Sequence, residues 1–125
     1  VVNELSLRTE IFKVGLNFNV GGAGRHLSTV QRQKLALARA VLKRPDFLVC
    51  NDALSSLDSR SQQEILTNIK RLFAGRGLVW IVGQPILTRG FDKVMVIDEG
   101  KVVEQGDFDL LSKSGARLAQ LLDAS

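Results

Sequence analysis

Apolar and polar positions along the chain fall into two rhythms. From Ser28 onward, Leu35, Ala38, Val41 and Leu42 recur at helical spacing until Pro45 closes the run. The stretch Ser28-Thr29-Val30-Gln31 before them fits a capping box, in which the serine hydroxyl and the glutamine side chain satisfy free backbone N–H groups reciprocally. Phe47 to Cys50 shows no polar alternation, which predicts a strand buried on both faces, as in a parallel sheet flanked by helices. Ser59 with Gln62 offers a second capping box. Ile65, Leu66, Ile69, Leu72 and Phe73 then make one apolar face that Gly75 ends. Leu78 to Val82 and Val94 to Ile97 read as further buried strands, and Glu99-Gly100 as a turn into Lys101 to Glu104, giving a hairpin. The tail from Asp107 predicts two short helical pieces, with Leu110, Leu111, Leu118, Leu121 and Leu122 as core candidates. Before all this, Val1 to Val14 has loose helical spacing and Gly15 to Gly24 is a glycine- and asparagine-rich loop. Strand, helix and strand in succession argue an α/β layer fold.

Composition narrows the functional classes. The 125 residues, 45% hydrophobic and 24% charged, suit one ordinary globular core rather than a disordered chain. No stretch has the ~18 to 20 consecutive apolar residues of a membrane helix, and the opening lacks the layout of a signal peptide, so the chain reads as cytosolic. One cysteine, Cys50, and one histidine, His26, make neither an intrachain disulfide nor an ordinary four-ligand zinc site. Cys50, Trp80 and Met95 read as core, and His26 as a loop residue. The net charge is +4, and Arg25, Arg32, Lys34, Arg39, Lys43 and Arg44 follow one another with no acid among them. Such a block either attracts phosphate or keeps a helix face solvated. With few aromatics and no nucleic-acid-binding motif, no nucleic-acid partner is expected.

The order of short motifs adds a family. LSTVQRQKLALARAVLKRPDFLVCNDALSSLD resembles the segment of ATP-binding cassette (ABC) ATPases that carries the LSGGQ signature, the Walker B strand and the D-loop. Downstream, VWIVGQ is similar to the strand leading to the switch histidine, and VIDEGKVVEQGDFDLL to the family's DEGxIVEQGxxxxLL. The resemblance runs across roughly Val20 to Leu111 and is nearest to the exporter type. G-x-x-x-x-G-K-S/T does not occur, since Gly21, Gly22 and Gly24 lead into Arg25-His26. The family's P-loop lies upstream of its signature, so the resemblance implies the C-terminal part of one nucleotide-binding domain. Residues 1–44 would be the signature and helical region, and 45–125 the Walker B strand, D-loop, switch strand, C-terminal hairpin and short helices. The implied fold is part of a RecA-like P-loop NTPase sheet without its P-loop strand, leaving a strand edge open to another chain.

Carried over residue by residue, Asn51 stands where the family has the aspartate that helps hold Mg²⁺, and an amide is a weaker ligand for that hard cation. Asp52 stands at the catalytic glutamate, keeping the charge but one methylene shorter, and Gln84 stands at the switch histidine. In the signature, Ser28 and Gln31 match, whereas Thr29 and Val30 replace glycines whose backbone approaches phosphate closely. Ser56 and Asp58 keep the D-loop pattern. The plainer alternative for that turn is a helix entry capped by Asp58 or Ser59.

The resemblance implies a degenerate subunit. It would contribute its signature and D-loop to a composite ATP site at a dimer interface, with weak or no hydrolysis at its own site. ATP and Mg²⁺ are the cofactors implied for the full-length dimer, and none for these residues alone. The partners implied are a second nucleotide-binding domain and transmembrane transporter domains, which would hold the chain at the cytoplasmic face of a membrane. The alternative is a pseudoenzyme, a structural or regulatory module that keeps the fold and no longer binds nucleotide.

Overall fold

The computed structural model describes residues 1–113 and 115–125. The chain divides into two compact units, Val1–Ile81 and Val82–Ser125.

In the first unit, α1 (Arg8–Val14) ends at Gly15, whose φ of 77° closes the helix. A loop with a 3₁₀ turn at Gly22–Gly24 leads to α2 (Thr29–Leu42). Strands β1 (Phe47–Asn51) and β2 (Gly77–Ile81) pair in parallel, Phe47 opposite Gly77 and Asn51 opposite Ile81, and α3 (Ser59–Leu72) is the crossover between them. Ring atoms of Phe47 lie across Gly77, where an added Cβ would come within 1.9 Å of them, so a side chain there would have to displace the exposed ring.

The core forms on one side of this strand pair. Leu48 and Cys50 of β1 pack with Leu37, Ala38 and Val41 of α2, Ile65 and Ile69 of α3, and Leu5 and Leu7 of the N-terminal segment. Two side chains tie that segment down: Lys34 Nζ donates to the Ser6 carbonyl at 3.3 Å, and Asn68 Nδ2 to the Glu4 carbonyl at 3.1 Å. The expectation of strands buried on both faces fails here. Phe47 and Val49 are 61% and 58% exposed, and Val79 and Ile81 are exposed beside them, because both helices cover the same side of the sheet. On α2, Ala38 and Val41 are buried as predicted, Lys34 and Leu37 complete the stripe, and Leu35 and Leu42 face outward. Lys34 belongs to a core-facing stripe because its stem packs while its ammonium reaches a carbonyl. On α3, Ile65, Leu66, Ile69 and the following Phe73 are buried as expected, and Leu72 is exposed.

The second unit holds a 3₁₀ turn at Pro85–Thr88 and the antiparallel hairpin of β3 (Val94–Asp98) and β4 (Lys101–Gly106). Glu99 and Gly100 join the strands with φ of 46° and 75°, the two positive values that a two-residue hairpin turn demands. The register shifts between Val96 and Ile97, a bulge. Val94 and Val96 pack with Leu111 of α4 (Phe108–Leu111) and Leu118 of α5 (Arg117–Asp123). Met95, expected in the core, points outward at 54% exposure because strand alternation places it opposite Val94 and Val96, and Leu110 and Leu121 are likewise exposed. The Glu104 carboxylate accepts the N–H groups of Arg117 and Leu118, the latter at 3.0 Å, satisfying two free donors at the start of α5. Among the described residues no helix is long and apolar enough to cross a membrane.

Glu104→Ala is expected to destabilise the hairpin and α5 by about 1 to 2 kcal/mol, the usual cost of removing a helix cap. Amide exchange of β3 checks it: protection falls there, whereas Glu104→Gln keeps part of it. Burial pushes the Cys50 thiol up to about 11. Its alkylation near neutral pH should therefore proceed only as fast as the first unit opens, measured by mass spectrometry against denaturant concentration.

Candidate functional site

The polar end of β1 is where the strand leaves the core. Asn51 is the last outward-facing residue of the strand and is exposed. Asp52 follows with φ of 50°, a left-handed conformation that an aspartate tolerates better than most side chains. Its N–H still donates to the Ile81 carbonyl at 2.8 Å, so the backbone is pinned to the parallel ladder while the carboxylate stands exposed. The turn Ala53–Leu57 then buries Leu54 and Leu57 and leaves Ser55 and Ser56 at the surface.

Asp58, not Ser59, caps α3. Its Oδ1 accepts the Ser61 N–H at 3.0 Å and its Oδ2 accepts the Ser61 hydroxyl at 2.7 Å. These bonds, the hydroxyl's first, hold the Asp58 carboxyl below the usual aspartate range. Gln62, expected as the partner of a Ser59 capping box, instead donates from Nε2 to the buried Leu57 carbonyl at 2.8 Å and holds the turn from behind.

The capping box at the start of α2 forms as predicted. The Ser28 N–H donates to Gln31 Oε1 at 3.0 Å and Ser28 Oγ accepts the Gln31 N–H at 3.2 Å. That bond uses Ser28 Oγ as an acceptor and leaves its hydrogen free to donate to an anion. Of Thr29 and Val30, only Thr29 stands exposed, with its hydroxyl accepting from Arg32 Nη2 at 3.3 Å. Val30 is half-buried and packs against the core, so its branched side chain turns away from the exposed end of the helix. His26 is a loop residue, its Nδ1 2.9 Å from the Asn19 carbonyl.

One residue that the sequence reading did not single out links these two surfaces. Gln33 of α2 donates from Nε2 to Ser55 Oγ at 3.0 Å and accepts the Ser56 N–H on Oε1 at 3.0 Å. Ser28–Gln31 and Ser56–Asp58 are thus connected through one side chain. Gln84 lies in the second unit, half-buried, at the N-cap position of the Pro85–Thr88 turn. Among the described residues no three His, Cys, Asp or Glu side chains gather as a metal site. The donors at the end of β1 are one carboxylate and one amide, which suits a Mg²⁺ ion held mainly by phosphate oxygens and water.

No family model matches the chain. It is 38% identical over 107 residues to the ATP-dependent lipid A-core flippase of Burkholderia orbicola, covering 86% of this chain and 18% of that protein. It is 38% identical over 111 residues to the β-(1→2)glucan export ATP-binding/permease protein NdvA of Agrobacterium vitis, covering 89% of this chain and 19% of that protein. Among solved structures, that of a bacterial Atm1-family ABC exporter with ATP bound superposes with a TM-score of 0.88 at 28% identity, over 98% of this chain and 22% of that one. The chain thus spans about a fifth of the length of the proteins it matches.

Lowering pH should loosen the start of α3. Because the folded-state value of Asp58 is depressed, its capping contribution is present above the ordinary aspartate value near ~3.9 and is lost as pH falls through the lower folded value. The stability difference between the unsubstituted chain and Asp58→Asn, measured by urea unfolding, should be clear at neutral pH and vanish below the folded value.

Proposed function

Since the chain is homologous to the ATP-binding portion of ABC exporters, we propose that it forms the C-terminal part of a nucleotide-binding domain and shares a composite ATP site with a partner domain. Ser28 and the first turn of α2 face the terminal phosphate of ATP held by the partner's P-loop, supported by the free hydroxyl hydrogen and the unpaired N–H groups of a helix start. Ser56 and Asp58 line the same interface. In the first unit Asp52 orients water; Gln84, in the second unit, keeps a side-chain donor suited to a terminal phosphate. Mg²⁺, when bound, neutralises phosphate charge, and the Asn51 carbonyl and the Asp52 carboxylate are the protein oxygens offered to it.

The observation that carries slow hydrolysis is the donor set at the end of β1, one short carboxylate beside a neutral amide on an exposed strand end. A general base displaced by ~1 Å costs on the order of 10²-fold in rate. Nucleotide then serves mainly to hold two domains together, beside transmembrane parts at a membrane face.

A second reading is a module that keeps the fold and binds a partner without nucleotide. Thr29 favours it, because a branched side chain stands exposed at the turn where the family presents glycine.

A chimaera tests both. Residues 1–125 replace the corresponding segment of the Burkholderia flippase, and Mg²⁺-dependent ATP binding and hydrolysis are measured. Saturable ATP binding with turnover lowered about 10²-fold or more, and recovered in large part by Asn51→Asp, Asp52→Glu and Gln84→His together, is the expected result. Parental turnover without those changes contradicts slow hydrolysis. Absent ATP binding favours the second reading. Asp52→Asn is the control for the charge, since it keeps a side chain suited to the left-handed backbone.

A further inference from the structure

We propose that Gln33 is a positioning residue that makes the first turn of α2 and the Ser55–Ser56 turn respond as one body, so that a ligand seated at Ser28 is felt at Ser56 and Asp58; this rests on the composite-site reading above.

The geometry is a two-ended clamp. One planar amide spends its donor on Ser55 Oγ and its acceptor on the Ser56 N–H, each at 3.0 Å, across separations of 22 and 23 residues. Two bonds from one rigid group fix the orientation of the turn as well as its distance. Gln33 is half-buried, and it meets its two partners at the exposed Ser55–Ser56 turn. Gln62 grips the Leu57 carbonyl at 2.8 Å and Asp58 caps α3, so the turn has little freedom to absorb a displacement of α2. At the other end, Gln31 and Ser28 lock the first turn to the helix that carries Gln33. A shift of that turn is passed along less than two turns of helix to the clamp.

The chemistry of the clamp separates positioning from mere packing. Methionine has nearly the same shape as glutamine and neither bond. Glutamate keeps both, because its carboxylate accepts the Ser56 N–H and the Ser55 hydroxyl rotates to donate. A residue that only filled space would be replaced by methionine without effect at Ser56.

Amide exchange of the chain, alone and with the isolated nucleotide-binding domain of the Burkholderia flippase loaded with ATP and Mg²⁺, is the test. In the unsubstituted chain the loaded domain should slow exchange at Thr29–Gln31 and at Ser56 together. In Gln33→Met, Thr29–Gln31 should still be slowed, while Ser56 exchanges about tenfold faster than in the unsubstituted chain and no longer responds. Gln33→Glu should restore the response, with the amides of the α2 and α3 interiors unchanged in all three to show intact folding. Equal slowing at Ser56 in Gln33→Met overturns the proposal. If the loaded domain slows exchange nowhere in the unsubstituted chain, the composite-site reading fails, and Ser56 exchange in the free chain then judges Gln33 by itself. There, exchange unaltered by Gln33→Met overturns the clamp, and selective acceleration upholds it.

Discussion

Leu48 and Cys50 enter the core from one side of β1, and this one-sided burial governs what surrounds the candidate site. Strand alternation then commits Phe47, Val49 and Asn51 to the opposite face, which no helix of the first unit covers. The strand is therefore anchored by two inward side chains and by pairing with β2. Its last hydrogen bond, from the Asp52 N–H to Ile81, is made where the backbone has already turned left-handed. A carboxylate is delivered to the surface on a fixed backbone.

The surface around it is organised by short-range polar bonds rather than by burial. Ser28 and Gln31 cap α2, Asp58 caps α3, and Gln33 joins the two ends. Each bond is modest alone. Together they hold exposed segments in one arrangement, as is needed where a polyanionic ligand is to be met by backbone N–H groups without reorganisation. None of these cap and clamp bonds involves Asn51, Asp52 or Gln84.

What was legible in the sequence follows from the range of the interactions. The capping box at Ser28 and the turn at Glu99-Gly100 depend on neighbours within three residues, and both formed as read. The cap of α3 left two candidates, Asp58 and Ser59, and a carboxylate with two oxygens for Ser61 decides between them. One-sided burial of β1 was not legible, because a run of apolar residues looks the same whether one or both faces are covered. The stripe on α2 was legible at Ala38 and Val41 but not at its start, because a charged Lys34 occupies the inward position while Leu35 faces out. Gln33 was invisible for a different reason: its partners lie on another element, and nothing local distinguishes it from the other polar residues of a basic helix.

The central claim is that nucleotide is bound in the composite site yet survives there. A single-turnover measurement addresses it most directly, with radiolabelled ATP in stoichiometric complex with the flippase chimaera and the fraction remaining as ATP followed over time. The account predicts a lifetime on the order of 10² times that in the parent flippase, shortened by Asp52→Glu with Asn51→Asp. Decay of bound ATP at the parental rate would contradict it.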